Sequence, residues 1–319
     1  RSRGLGDVYK RQVPMFGGKG IWISVFLSVS AYCNAGFDIL GFLKPDASLE
    51  LFVGDPLVCL TICCLIILGG IGFIVTVDLY NWGRKRVRKE ERRPHLTLHT
   101  RIVLVSTASL LVLGTVLTLG LEYDHTLKDL NFWEKLNASF FQSVTARTAG
   151  YATIPQGELG DATKLVTIIL MFIGASPSST GGGIKTTTFV VLVATVVSIS
   201  RGRDETVINK RRVDKSVVYR AMTIVAMAFL VIAITSGVIM VTTPPEVSAI
   251  DAVYEAVSAF GTVGLTTGLT PDLSIVAKIL VMLTMFIGRV GPISLVLALT
   301  MKHSGGPGKI LPEGKVIVG

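Results

Sequence analysis

The chain is 319 residues long, 50% hydrophobic and only 17% charged, with a formal net charge of +9. A soluble globular domain carries about a quarter charged residues, so this composition excludes an ordinary soluble protein and points to lipid-facing surface. The basic residues cluster between apolar runs, which makes them topology signals rather than a nucleic-acid surface.

Residues 1–12 have neither periodicity nor an apolar stretch, so they are no signal peptide. They read as an adapter-like, non-native segment; without them the charge is about +6, from 27 basic and 21 acidic residues. The remainder starts abruptly at Val13, and an N-terminally truncated chain is expected.

Taken in order, a short apolar segment (21–33) precedes a long one (57–80). A basic stretch, 84–101, follows with eight Lys and Arg side chains. Next come a span at 101–121, an acidic loop at 122–135 and a second short segment at 133–147. The apolar run 164–199 is too long for one simple span and is interrupted by Gly- and Pro-containing residues 174–187. Seven basic residues lie in 201–220, followed by a span (217–242), an acidic loop (243–255), a third short segment (248–261) and a last span (275–300). About 20 apolar residues cross a bilayer, whereas 10–14 suit a re-entrant helix. The positive-inside rule places both basic stretches and the tail from Lys302 in the cytoplasm. All three short segments then enter from outside. The unit is span, re-entrant helix plus loop, span.

This unit repeats. Residues 28–38, 142–154 and 256–268 align without gaps, and their central glycines, Gly36, Gly150 and Gly264, are each 114 residues apart. Phe172-Ile173-Gly174 and Phe286-Ile287-Gly288 keep the same interval, and Ile67-Leu68-Gly69 is a looser match. Such units placed round an axis make a pore, as a ring of three or of four; four fits the abrupt start better.

A short helix followed by a Gly-centred loop suits a cation filter. Rings of backbone carbonyls replace an ion's hydration shell, and aiming successive carbonyls at one axis requires backbone that a Cβ disfavours. Helix C-termini aimed at the pore favour cations as well. Candidate filter residues are Asn34, Ala35 and Gly36; Thr148, Ala149 and Gly150; Thr262, Val263 and Gly264. Phe37, Tyr151 and Leu265 are expected to wedge the loops in place. The glycines of 174–187 (Gly174, Gly181, Gly182, Gly183) read as a flexible gate or a kink. Lys185 cannot belong to a phosphate-binding loop, because Ile184 separates it from Gly183. Arg289 lies about 14 residues into a span, where a charge costs at least ~2.5 kcal/mol and marks either a pathway or a partner for loop carbonyls. Asp251 and Glu255 are expected at an outer mouth, concentrating cations. Cys33, Cys59, Cys63 and Cys64 imply no disulfide framework or metal site. Four scattered histidines give no nucleophile pairing, so no enzyme is read here.

The sequences TAGY (148–151), TVGL (262–265) and CNAGF (33–37), each after a short helix, resemble the filters of the Trk/Ktr/HKT potassium transporter superfamily. The resemblance covers residues 13–319 and is nearest the membrane subunit of bacterial Ktr systems. It implies an all-α integral membrane protein of repeated span–re-entrant pore helix–span units around a central ion pore. Residues 13–83 match part of the second family repeat, 84–199 the third with its broken second span, 200–300 the fourth, and 301–319 a cytoplasmic tail. It further implies potassium uptake across the bacterial plasma membrane, a gating loop at 174–187 with Arg289 at the pore, and no cofactor; Lys185, within that loop, is expected to face the same cavity. Sodium as a coupling or modulating ion stays open. The implied partners are a second copy, a cytoplasmic nucleotide-binding regulatory subunit and membrane lipid, with no nucleic acid. The competing expectations are a secondary transporter with broken helices around a midplane site, which predicts inverted rather than parallel repeats, and a non-functional fragment.

Overall fold

A computed structural model describes residues 18–42, 48–88, 95–244 and 247–291. The adapter-like segment and the tail at 301–319 lie outside them, as does the last span beyond residue 291.

The helices in chain order are α1 (Gly18–Tyr32), α2 (Pro56–Gly70), α3 (Phe73–Val87), α4 (Leu98–Glu122), α5 (Phe132–Thr145), α6 (Asp161–Phe172), α7 (Thr186–Ser200), α8 (Lys215–Thr242), α9 (Ala249–Gly261) and α10 (Ile275–Val290). A two-residue hairpin, β1 (Val207–Ile208) with β2 (Arg211–Arg212), interrupts the otherwise helical fold between α7 and α8.

Helix starts follow local chemistry. Asp55 accepts from Leu57 N and Val58 N (3.1 and 3.4 Å) ahead of Pro56, whose missing N–H costs nothing at a first turn. Thr97 caps α4, Asp214 caps α8 and Ser274 caps α10. Asn131 and Glu134 form a reciprocal capping box at α5.

Helices α4 and α8, of 25 and 28 residues, are long and apolar enough to span a bilayer. Only 28% of each apolar window is buried, and large apolar side chains such as Val105, Val116 and Leu230 point outward. A water-soluble fold would hide them; a lipid-embedded one needs them outside. Helices α1, α5 and α9 have 15, 14 and 13 residues. At 1.5 Å per residue they reach roughly 20 Å, short of the roughly 30 Å hydrocarbon core.

The run 57–80 is not the straight span expected from its sequence. It divides into α2 and α3, bent by 98°. Gly72 at the corner has φ +90°, and any Cβ there would meet the carbonyl oxygen of Pro177. The backbone groups freed by the bend are taken up from a distant loop: Ser176 N donates to Gly70 O (3.1 Å), Thr180 N to Gly69 O (3.3 Å), and Phe73 N to Ser178 O (2.9 Å). Gly291, three residues after Gly288 as Gly72 is after Gly69, has φ +91°. Gly69 and Gly288 also meet matching partners, since a Cβ on either would strike the carbonyl oxygen of Tyr32 or Phe260, the pore-helix residues two repeat intervals apart. The looser first-repeat match is therefore structurally in register.

Two main cores hold the elements together. One gathers α6, α8, α9 and α10 around Tyr254 and Phe260. The other gathers α1, α2 and α5 around Leu27, Phe141 and Tyr151. Cys59 and Cys63 are buried and unbridged within the second.

Candidate functional site

Each short helix ends in the same backbone figure. Asn34, Thr148 and Thr262 have φ of 50°, 75° and 50°, and two residues later Gly36, Gly150 and Gly264 have φ of 70°, 87° and 95°. Left-handed backbone at a threonine or asparagine costs on the order of 1–3 kcal/mol and persists only where surroundings impose it. Here it occurs three times at intervals of 114 residues. The turns are closed by Ala35 N donating to Ser30 O (2.9 Å), Ala149 N to Thr145 O (3.0 Å) and Val263 N to Ser258 O (2.9 Å).

The loops meet one another in sequence order. A Cβ on Gly36 would land on the carbonyl oxygen of Ala149, and one on Gly150 would land on that of Val263. The Asn34 side chain reaches the Thr148 hydroxyl (3.4 Å). Thus Asn34, Ala35, Gly36, Thr148, Ala149, Gly150, Thr262, Val263 and Gly264 are brought together in one place. The carbonyls of Phe37 and Tyr151, which follow the glycines, turn back to accept from Ser30 Oγ (2.8 Å) and Thr145 Oγ1 (2.6 Å). Among the described residues, no hydrogen bond ends on the carbonyl oxygens of those nine residues. Tyr151 and Leu265 are buried as wedges, but Phe37 is 70% exposed and wedges nothing. Its loop is tied through its backbone instead.

Outside the glycines lies a vestibule of about 370 Å³, lined by Gly36, Gly150 and Gly264 together with Asp38, Glu50 and Gln156. Asp251 and Glu255 do not supply its charge. Asp251 pairs with Lys164 at 2.8 Å, and Glu255 is buried and accepts from the Thr270 hydroxyl. Asp38 and Glu50 occupy the position expected of them. Asp38 sits two residues after Gly36, inside the repeat itself, which was the available sequence signal.

On the opposite side, residues 174–185 form a loop pressed against the pore-helix ends. A Cβ on Gly181 would strike Thr148 Oγ1, and one on Gly182 would strike Thr262 Oγ1. Gly174 lies at the loop's base, packed against Gly182 and Gly183. Ile173 and Ile184 bridge there. Two cations hold the loop's carbonyls: Lys185 Nζ donates to Gly181 O (2.6 Å), and Arg289 donates to Thr180 O (2.5 Å). The Thr180 hydroxyl in turn donates to Tyr32 O (3.3 Å). Arg289 is thus a partner for loop carbonyls, one of the two roles its sequence position left open.

Arg147, missed in the sequence, is buried directly before Thr148, and its Nε has no hydrogen-bond partner. It borders a narrow cleft beside Gly70, Thr107 and Ala175. Its signal was a lone arginine at the C-terminus of a short apolar helix, where the dipole favours a cation.

Three strained loops packed in sequence order, with a fourth loop braced beneath them among lipid-facing helices, define a multi-pass membrane fold. The family profile described as TrkH, cation transport protein, matches residues 6–306, and the chain belongs to that family, within the Trk/Ktr/HKT superfamily. It is 38% identical over 312 residues to Ktr system potassium uptake protein B of Bacillus subtilis, covering 97% of this chain and 66% of that protein. It is 39% identical over 314 residues to potassium/sodium uptake protein NtpJ of Enterococcus hirae, covering 96% and 66%. The chain therefore spans just under two thirds of the length of these relatives. The crystal structure of the potassium transporter TrkH from Vibrio parahaemolyticus superposes with a TM-score of 0.64 at 18% identity, over 94% of this chain and 70% of that one, so the fold is shared. The family is one of transport proteins, not of enzymes.

Proposed function

We propose that the chain forms most of the ion path of a potassium uptake protein in the bacterial plasma membrane. The three Gly-centred loops are its selectivity filter, and the loop within residues 174–187 is its intramembrane gate. The observation that carries this reading is the convergence of Gly36, Gly150 and Gly264 with nine carbonyl oxygens that no hydrogen bond in the described structure engages. Carbonyls freed from internal bonding at membrane depth are tolerated only where they line a cavity, and there they replace the water around a cation. The acidic vestibule supports the reading by raising local cation concentration. The loop at 174–185 blocks the path below the filter and hangs on Lys185 and Arg289.

Potassium is the proposed permeant ion, with sodium as a coupling or modulating ion, since NtpJ is named for both. A second copy and a cytoplasmic nucleotide-binding regulatory subunit complete the proposal; the relative's designation as part of a Ktr system supports a multi-component assembly. The basic segments 84–93 and 201–212 support a cytoplasmic C-terminus under the positive-inside rule.

The test is potassium uptake in a bacterial strain without potassium transporters of its own, using this chain and a version extended by one further repeat. Rescue by either, with potassium preference lost in Gly150→Ser, is the expected result. No rescue by either protein, both being present in the membrane, overturns the assignment.

A further inference from the structure

Between the first half of α4 and the length of α7 lie two adjoining hollows of about 450 and 620 Å³. They share Ser106, Val190, Ile208 and Asn209 and so form one groove. Leu110 and Phe189 are at its deep end, and Val193, Val197, Ile102 and Val105 make apolar walls. Arg201 and Arg203 line the first hollow at the C-terminal end of α7, Arg101 lines the second, and none of the residues lining either is acidic. The β1–β2 hairpin is pinned to α7 there: the Thr195 and Thr206 hydroxyls meet at 2.9 Å, and Val207 N donates to Ser198 Oγ at 3.3 Å. This pinning sets Ile208 and Asn209 into the groove.

We infer that the groove holds an acyl chain of an anionic phospholipid from the leaflet on the basic side, with its phosphate at Arg201 and Arg203. Length agrees. Phe189 and Arg201 are twelve residues apart on α7 and its cap, about 18 Å along a helix, against roughly 15 Å for one leaflet's hydrocarbon. Charge agrees as well, because planar guanidinium groups match phosphate oxygens in pairs and the cytoplasmic leaflet is anionic. The groove opens on a face where Val105 and Val196 are each 67% exposed, as a lipid-contacting face requires. The occupant's tail would lie against Phe189, whose N–H donates to Lys185 O (3.2 Å), so it touches the first turn of the helix that begins at the loop's own lysine.

The purified chain in mild detergent is titrated with phosphatidylglycerol and, separately, with phosphatidylcholine of the same acyl chains, and bound lipid is counted by native mass spectrometry. The expected result is retention of phosphatidylglycerol and loss of phosphatidylcholine. An arginine near an anionic headgroup contributes about fivefold, so R201Q with R203Q lowers the phosphatidylglycerol affinity roughly 25-fold. R201K with R203K, which keeps the charge, retains most of it. Val193→Trp fills the groove and removes binding. Arg220→Gln, on α8 outside the groove, changes nothing. Equal retention of the two lipids overturns the inference, as does an equal loss in Arg220→Gln, which would mean diffuse surface charge. Cross-linking of two copies through Val193→Cys, with no lipid bound, also overturns it and makes the face a contact between copies.

Discussion

Tyr151 donates its hydroxyl hydrogen to the carbonyl oxygen of Phe37 at 3.2 Å, across one full repeat of 114 residues. The residue after Gly150 is thereby fastened to the residue after Gly36. Tyr151 is itself fully buried, and its own carbonyl is held by Thr145. The Gly36 and Gly150 loops are thus braced to each other, so disturbing one is expected to disturb the other.

Tyr151→Phe removes this brace and leaves the ring in place. A net hydrogen bond contributes about 1 kcal/mol, too little to unfold the protein but enough to loosen the spacing of the Gly36 and Gly150 loops. The expected outcome is near-normal accumulation in the membrane with reduced preference for potassium over sodium in competition uptake. Unchanged preference would show that ring packing alone sets the geometry.

Gly150 and Gly264 are predicted to differ in tolerance. At Gly150 an alanine meets both a positive φ and the carbonyl oxygen of Val263. At Gly264 the backbone is equally left-handed, but the nearest atom to an added Cβ within this chain is Gly150 Cα at 3.7 Å, an ordinary contact. Strain alone costs roughly 1–3 kcal/mol; strain plus a collision with a filter carbonyl costs more. Thermal unfolding of the detergent-solubilised chain should therefore fall further in Gly150→Ala than in Gly264→Ala. The reverse order would contradict the ring arrangement of the loops.

Arg289→Ala removes a donor from Thr180 O, and Lys185→Ala removes one from Gly181 O. Both carbonyls belong to the loop packed against the ends of α5 and α9. A hydrogen bond from a charged group contributes about 1.5–3 kcal/mol, so releasing either favours loop displacement. Potassium flux is expected to rise in each single variant, and to rise further in the double. Lower flux with intact protein would mean that the two cations hold the loop open rather than in place.

Much of this was legible in the sequence because it is periodic. The short apolar segments located the three short helices to within three residues at each end, and the 114-residue interval located the Gly-centred loops that follow them. The break between α2 and α3 was not legible. The run 57–80 is continuously apolar, and its bend is satisfied by backbone groups of Ser176, Ser178 and Thr180, a hundred residues away. The same limit misplaced Asp251 and Glu255. Their spacing showed that they share a helix face, but only the packing of α6 against α9 shows that Lys164 already occupies that face. Phe37 failed as a wedge for a related reason: position after a glycine does not reveal whether a neighbouring element covers the side chain.

The Lys164–Asp251 pair gives an asymmetric prediction. The side chains are 8% and 20% exposed, and the bond joins α6 of one repeat to the first turn of α9 in the next. Breaking a buried pair costs about 3–5 kcal/mol because one charge is left without compensation. The two partners are not equivalent, however. Asp251 lies in the first turn of α9, where the helix N-terminus favours a carboxylate even without the lysine. Lys164, the more buried of the two, has no such support. Asp251→Asn is therefore expected to destabilise the chain more than Lys164→Met. The double variant K164M with D251L, which removes both charges, should recover part of the loss, since an apolar replacement of a buried pair is often neutral. Thermal unfolding in detergent measures all three. Strictly additive losses in the double variant would show that the two charges act separately, and that the tie between the two pore units lies elsewhere.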